Sequence, residues 1–244
     1  VEKLSVMPHK ILILAGTNEA RLLANYWVEQ GHFVTSSFAG VTSNPKLPAG
    51  EIHIGGFGGV EGLRKFIAAV KFDFVIDATH PFAAQISSNV AEAYPQVLRI
   101  ERPAWVPQLG ESWVAAPDHR AAFEVLPIGA RVLLTIGRKE ALMFSERADL
   151  SGVMRMIESP PAVPNCWSLI LERPPFDLES EIQLMRQHQI THLVTKNSGG
   201  EETAAKLVAA FQLGVQIVMI DRPKKPDVRT FSTIDAIAAW VASR

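Results

Sequence analysis

The chain has 244 residues, 48% of them hydrophobic, which suits two small α/β domains of about 120 residues each with buried cores. The formal charge is only −1, from 24 Lys and Arg against 25 Asp and Glu, so no global field draws it to a polyanion, and nucleic acid is not an expected partner. A single cysteine, Cys166, excludes an internal disulfide and the paired Cys/His zinc patterns, and neither the first nine residues nor any later run has the apolar length of a signal peptide or membrane span, so a metal-free, soluble, cytoplasmic protein is expected.

Short β-branched or leucine-rich runs alternate with stretches of helical period, the pattern of a mainly parallel sheet covered by helices on both faces. The first strand is expected at 10–15. It runs into Gly16-Thr17-Asn18-Glu19, which opens a helix over 18–30. Backbone N–H groups and the helix dipole face whatever sits at that strand end, and a phosphate fits such a place. The turn has one glycine where the dinucleotide fingerprint has three. An ordinary turn with Thr17 or Asn18 as N-cap is the competing interpretation.

The second strand, expected at 32–37, ends at Ser36 and Ser37 and is followed by Phe38-Ala39-Gly40. Dinucleotide folds usually place a carboxylate there for the ribose hydroxyls. With none present to repel a 2′-phosphate, NADPH is favoured over NADH if a nicotinamide binds; two solvated turn serines are the alternative. A strand at 51–54 leads into Gly55-Gly-Phe-Gly-Gly59 and a helix over 59–70. No Lys-Ser/Thr follows the glycines, so this is not a P-loop. A flexible turn is the simpler assignment, close approach of backbone to a cofactor or another loop the other.

The strand expected at 72–77 stops at Asp77-Ala78-Thr79-His80, with Pro81 and a helix over 83–93 following. This delivers three polar side chains to one sheet edge, where α/β proteins hold ligands. His80 titrates near pH ~6.5 when unperturbed and can donate a proton or a hydrogen bond. The competing assignment is a capped helix with His80 packed on Pro81.

A strand at 97–101 precedes Arg102-Pro-Ala-Trp105 to Pro107, which breaks the rhythm, and a helix over 119–126 precedes Pro127-Ile-Gly129. The domain boundary is expected between these breaks, giving domains 1–127 and 128–244. The second half then reads as strands at 131–136, 152–156, 167–171, 191–195 and 215–220, with helices over 139–146, 178–189, 201–213 and 233–242. Ile11–Ala20 and Val132–Ala141 share Leu, Gly, Glu and Ala at matched positions, which marks the start of a second sheet near 131 better than it marks duplication.

Lys196-Asn197-Ser198-Gly199-Gly200 follows the strand at 191–195 as a polar glycine turn, an anion nest with a lysine beside it; a turn with a solvated lysine is the alternative. Arg222, held by Pro223 after the last long strand, suits a carboxylate or phosphate because its fork bonds two oxygens at once. Lys224 and Lys225 are assigned to a basic loop without a ligand.

Taken in order, Ile13–Arg21, Asp77–Ala83, Arg99–Trp105, Leu134–Gly137, Thr195–Gly200 and Val218–Pro223 resemble the precorrin-6A reductase family of corrin-ring biosynthesis, nearly end to end. Asp-Ala-Thr-His-Pro-Phe-Ala and Lys-Asn-Ser-Gly-Gly are its distinctive segments. The resemblance implies two Rossmann-like domains, each a mainly parallel sheet flanked by helices, with a reduced nicotinamide in the cleft between them. It also implies a tetrapyrrole-derived corrinoid substrate, and NADPH-dependent reduction of one ring C=C bond that converts precorrin-6A to precorrin-6B in cobalamin biosynthesis. Neighbouring pathway enzymes are possible partners by the same token.

On that basis the cofactor is expected near Gly16, Thr17, Asn18, Glu19, Ser37, Gly40 and Thr79, with Lys196, Asn197, Ser198, Gly199 and Gly200 from the other half. Asn18 is a departure, since family members often carry other small polar residues there. A polycarboxylate substrate needs cations, and Arg99, Arg102, Arg138 and Arg222 follow strands. His80 is the candidate proton donor. The alternatives are a cobalt-precorrin-6A reductase using NADH, a non-catalytic NAD(P)-binding sensor and a methyltransferase. A short-chain dehydrogenase is disfavoured because neither Tyr26 nor Tyr94 has a lysine four residues on.

Overall fold

The computed structural model describes residues 7–40 and 46–244; most of the amino-terminal stretch read above as lacking a leader lies outside them. In chain order the elements are β1 (Lys10–Leu14), α1 (Asn18–Glu29), β2 (Phe33–Phe38), β3 (Glu51–Ile54), α2 (Val60–Val70), β4 (Phe74–Asp77), α3 (Ala84–Ala93), β5 (Leu98–Ile100), β6 (Trp113–Ala116) and α4 (His119–Glu124). They continue with β7 (Arg131–Thr135), α5 (Arg138–Ala141), β8 (Ser151–Met156), β9 (Trp167–Leu171), α6 (Leu178–Gln187), β10 (His192–Lys196), α7 (Ala205–Leu213), β11 (Gln216–Ile220), β12 (Thr230–Phe231) and α8 (Ile234–Ala242). Among the described residues no helix is long and apolar enough to cross a membrane.

The chain divides into two compact units, Val1–Arg102 with Lys224–Arg244, and Pro103–Pro223. Each carries a six-stranded sheet in which every pairing is parallel. The first sheet runs β12-β5-β4-β1-β2-β3 and the second β6-β11-β10-β7-β8-β9. Read from the other edge, the first is the 3-2-1-4-5-6 order of dinucleotide-binding folds; in the second β9-β8-β7-β10-β11 repeat the 3-2-1-4-5 part, and the sixth place is filled by β6, which precedes them in the chain.

The division therefore differs from the boundary expected at 127. The expected first domain ends too late, because β6 pairs with β11 in the second sheet. The expected second domain runs too far, because β12 pairs with β5 in the first. Both strands escaped the sequence pattern for one reason: Trp113–Ala116 and Thr230–Phe231 are too short to show a period, and their partners are distant in the chain. Smaller differences follow from propensity. The helix expected at 139–146 is a single α turn followed by a 3-10 turn at Leu142–Glu146, and that expected at 201–213 begins only at Ala205, past the glycine turn.

The first unit is built on β1, whose side chains alternate between two buried faces. Ile11 and Ile13 pack with Leu23, Ala24 and Trp27 of α1 and Ile237 and Val241 of α8. Leu12 and Leu14 pack with Leu63 and Ile67 of α2 and Val90 of α3. Each such side chain contributes roughly 1.5–3 kcal/mol by leaving water. Helices thus cover both faces, so a ligand meets the sheet at an edge rather than on a face. In the second unit Leu133, Val153, Leu193 and Ile217 form the face covered by Met185 of α6 and Leu207 of α7.

Candidate active site

In the first unit the carboxyl ends of β1 to β4 surround a cavity of about 330 Å³. The turn after β1 supplies Ala15 and Gly16, and the end of β2 supplies Ser37. The loop after β3 supplies Gly55 to Gly59, and the turn after β4 supplies Thr79 and His80; Ile86 and Asn89 of α3 close one side. A wall of glycine and alanine backbone admits a bulky ligand to within hydrogen-bond reach of main-chain groups.

The two turns at the switch point between β1 and β4 are locked together. Thr17 caps α1, accepting from Ala20 N at 3.2 Å, and donates its hydroxyl hydrogen to the Ala78 carbonyl at 2.9 Å. A side chain on Gly16 would already touch His80 N and Thr79 Cα, at 3.8 and 4.0 Å. Thr17 is the N-cap, as one interpretation of this turn had it, and Gly16 lines the cavity. The other two polar residues of the turn point to protein partners. Asn18 Oδ1 accepts from Arg21 at 2.6 Å, and Glu19 takes Arg102 Nη1 on both oxygens, at 3.1 and 2.9 Å. Gly40 is exposed at the edge of the segment outside the described residues.

Beneath the Thr79–His80 turn lies Asp77, 1% exposed. Its Oδ1 accepts from Thr79 Oγ1 at 2.7 Å and Thr79 N at 3.2 Å, and its Oδ2 from Arg99 Nε at 3.0 Å. Burial pushes the Asp77 carboxyl up, but bonds from Thr79, Ser87 and Arg99, with the Lys225 charge, outweigh that and hold it below the ordinary value. His80 Nδ1 accepts from Phe82 N at 3.2 Å, so a neutral ring carries its proton on Nε2. Lys225 Nζ binds Glu101 at 2.7 Å and the His80 carbonyl at 3.3 Å.

Two expectations about cations are corrected here. Arg99, 6% exposed, gives Nε to Asp77 and Nη1 to the Pro226 carbonyl at 3.0 Å, and Arg102 is paired with Glu19. Both guanidiniums hold a carboxylate within the unit, and Arg99 is almost fully buried there. Lys225 lies in the loop expected, but its side chain is held against the site by Glu101 and the His80 carbonyl. The return of the chain to the first unit brings it there, and no local pattern announces that. The glycine loop at 55–59, read foremost as a flexible turn, is cavity wall; its position after the third strand of the sheet was the available signal.

The second unit holds the other expected residues, and most of their polar groups serve the turn itself. Asn197 clasps Trp105, accepting from its N at 2.8 Å and donating to its O at 3.0 Å. Ser198 N bonds the Lys196 carbonyl at 2.7 Å, and the Gly200 carbonyl accepts from the Trp105 indole at 3.1 Å. Arg222 donates to the Asn197 and Ser198 carbonyls at 2.8 and 3.1 Å, so it buttresses this turn. Arg138 is half-exposed, 3.4 Å from Glu158.

Gly199 has φ +68°, and a Cβ there would overlap the Pro103 carbonyl oxygen and stand 2.8 Å from Arg222 Nη2. Gly199→Ala is expected to cost about 1–3 kcal/mol, read as a lower urea midpoint with an unchanged m value. Lys196 ends β10 beside the β7 turn. Its ammonium lies 3.6 Å, and the Glu140 carboxylate 3.4 Å, from where a Gly137 Cβ would stand. Burial pushes Lys196 down, with Glu140 opposing.

A family model described as "Precorrin-6x reductase CbiJ/CobK" matches residues 10–242. A "Precorrin-6A reductase" of Rhodococcus erythropolis is 45% identical over 96% of this chain and 98% of its own length, and one of Mycobacterium tuberculosis is 41% identical over 96% and 97%. A "Cobalt-precorrin-6A reductase" of Priestia megaterium is 30% identical over 93% and 96%. The solved structure "CobK precorrin-6A reductase" superposes with a TM-score of 0.89 at 37% identity, covering 96% of both chains. Two all-parallel six-stranded sheets, a glycine-walled cavity at the edge of the first, and similarity along almost the whole length agree with one another: the chain belongs to the precorrin-6x reductase CbiJ/CobK family.

Proposed function

We propose that this chain is the cobalamin-biosynthesis oxidoreductase that reduces a C=C bond of precorrin-6A to precorrin-6B with NADPH. The observation that carries the assignment is the near full-length similarity to precorrin-6A reductases at 38–45% identity, against 28–30% for the cobalt-precorrin-6A reductases. That difference favours the metal-free ring as substrate.

The cavity suits a dinucleotide. It lies at the carboxyl edge of a 3-2-1-4-5-6 sheet, its walls are largely backbone, and the α1 amino terminus opens beside it. When bound, the reduced nicotinamide supplies the hydride. The chain's own residues bind, orient and exclude water. Gly16 and the Gly55–Gly59 loop form the cradle, and Ser37 faces the ribose end. Thr79, fixed on Asp77, sets the opposite wall. His80, with Nδ1 engaged by Phe82 N, presents Nε2–H as the proton donor to the carbon next to the one reduced. In the second unit Arg138 remains the cation proposed for substrate carboxylates, and Lys196, expected above with the cofactor, is a second candidate for them.

The test is anaerobic incubation of the protein with the metal-free and the cobalt-bearing ring, each with NADPH and NADH, followed by absorbance. Turnover is expected with the metal-free ring and NADPH; S-adenosylmethionine as the only ligand that raises Tm would instead indicate a methyltransferase. His80→Ala is expected to slow single-turnover reduction about 10²-fold or more while NADPH still binds. An unchanged single-turnover rate removes His80 from proton transfer.

A further inference from the structure

Ser37 and His53 stand side by side in register on β2 and β3. Ser37 Oγ lies 3.2 Å from His53 Nδ1, and Ser37, only 5% exposed, lines the cavity. The imidazole is held in place by rings rather than by charge. It stacks on Phe57 with centroids 4.7 Å apart and planes 5° from parallel, and meets Phe66 at 5.0 Å. Phe57 itself lines the cavity. The nearby carboxylate, Glu51, accepts instead from Thr35 at 3.2 Å.

The end of the second strand is where dinucleotide folds read the ribose 2′ position. A lone hydroxyl reads it poorly, because it accepts from a 2′-hydroxyl as readily as it donates to a 2′-phosphate. An imidazole behind it fixes the serine as the donor. If Nδ1–H donates to Oγ, the serine's own hydrogen is left for an acceptor; a 2′-hydroxyl oxygen can also take it, but only a 2′-phosphate makes the bond charge-assisted.

We propose that the Ser37–His53 pair selects NADPH over NADH: His53, held against Phe57, donates to Ser37 and so directs the Ser37 O–H at the 2′-phosphate. The proposal rests on the assignment of this cavity to the coenzyme. Ser37 is then the specificity residue, and His53 is a positioning residue that acts through it.

The experiment measures Kd for NADPH and for NADH by nicotinamide fluorescence on the full chain, without substrate. Ser37→Ala and His53→Phe, which keeps the ring stack, are each expected to weaken NADPH about tenfold, the worth of one charge-assisted bond, and to leave NADH within about twofold. His53→Asn, whose amide N–H replaces Nδ1–H, is expected to recover most of the loss. Ser37→Asp is expected to reverse the preference. Equal weakening of both coenzymes, or an unchanged NADPH affinity in Ser37→Ala, overturns the proposal while leaving the cavity assignment standing. A wild-type chain that binds neither coenzyme overturns both.

Discussion

Asp77→Ala is expected to destabilise the protein by about 3–5 kcal/mol, because it leaves the Arg99 guanidinium buried without its carboxylate. For a chain of this size that lowers Tm by roughly 10 °C. The effect has a definite pH signature. Asp77 is held below its ordinary value in the folded state, so its contribution is fully present above the unfolded value of about 3.9 and is lost as pH falls through the lower folded one. The gap between wild type and variant, measured by urea unfolding, should be constant from neutral pH to about 4 and narrow below it. A gap that closes instead between pH 6 and 8 assigns the stability to another group.

The paired replacement Asp77→Leu with Arg99→Met separates stability from function. It removes both charges together and is expected to recover much of the loss. It does not restore the acceptor for Thr79, so NADPH affinity should remain impaired. Recovery of both stability and affinity would mean that Asp77 serves the fold alone.

Gly62→Ala is expected to weaken NADPH by more than about tenfold. Gly62 sits in the first turns of α2, and the Phe57 carbonyl oxygen occupies the place its Cβ would take. An added methyl forces the glycine loop off the helix, and that loop is one wall of the cavity. Overpacking costs about 1–3 kcal/mol, partly offset by about 1 kcal/mol of helix propensity gained over glycine. Stability should therefore fall by up to about 2 kcal/mol while Kd rises. Ala68→Gly, at an exposed position of the same helix, should lose about 1 kcal/mol with Kd unchanged. If the two variants bind NADPH alike, the loop does not touch the coenzyme.

Much of this molecule was legible residue by residue. The apolar runs at β1, β4, β7, β10 and β11 are continuous and bounded by glycine or polar turns, which is what strands buried on both faces require. The match between Gly16 and Gly137, and between Glu19 and Glu140, locates equivalent positions: β1 and β7 are the central strands that begin each winding. Thr79 and His80 were found because a strand that stops at consecutive polar residues must present them at the sheet edge. Arg99 and Arg102 were misread for a related reason. Sequence places a cation at a strand end, and the partner that takes it, Asp77 or Glu19, lies 22 or 83 residues away.

The sequence by itself determined the alternation of strand and helix, the two-sheet α/β class, the polar turn at Asp77–His80 and the family. Those depend on period, turn chemistry and local motif, all of which are written in neighbouring residues. Only the tertiary structure decided that β6 completes the second sheet and β12 the first, that Lys225 returns beside His80, and that His53 stands behind Ser37. The first three are pairings between segments far apart in the chain, and the last, between residues 16 apart, is set by the register of β2 with β3. Such pairings are chosen by which edge hydrogen bonds and which side chains are left to be satisfied once the core has closed.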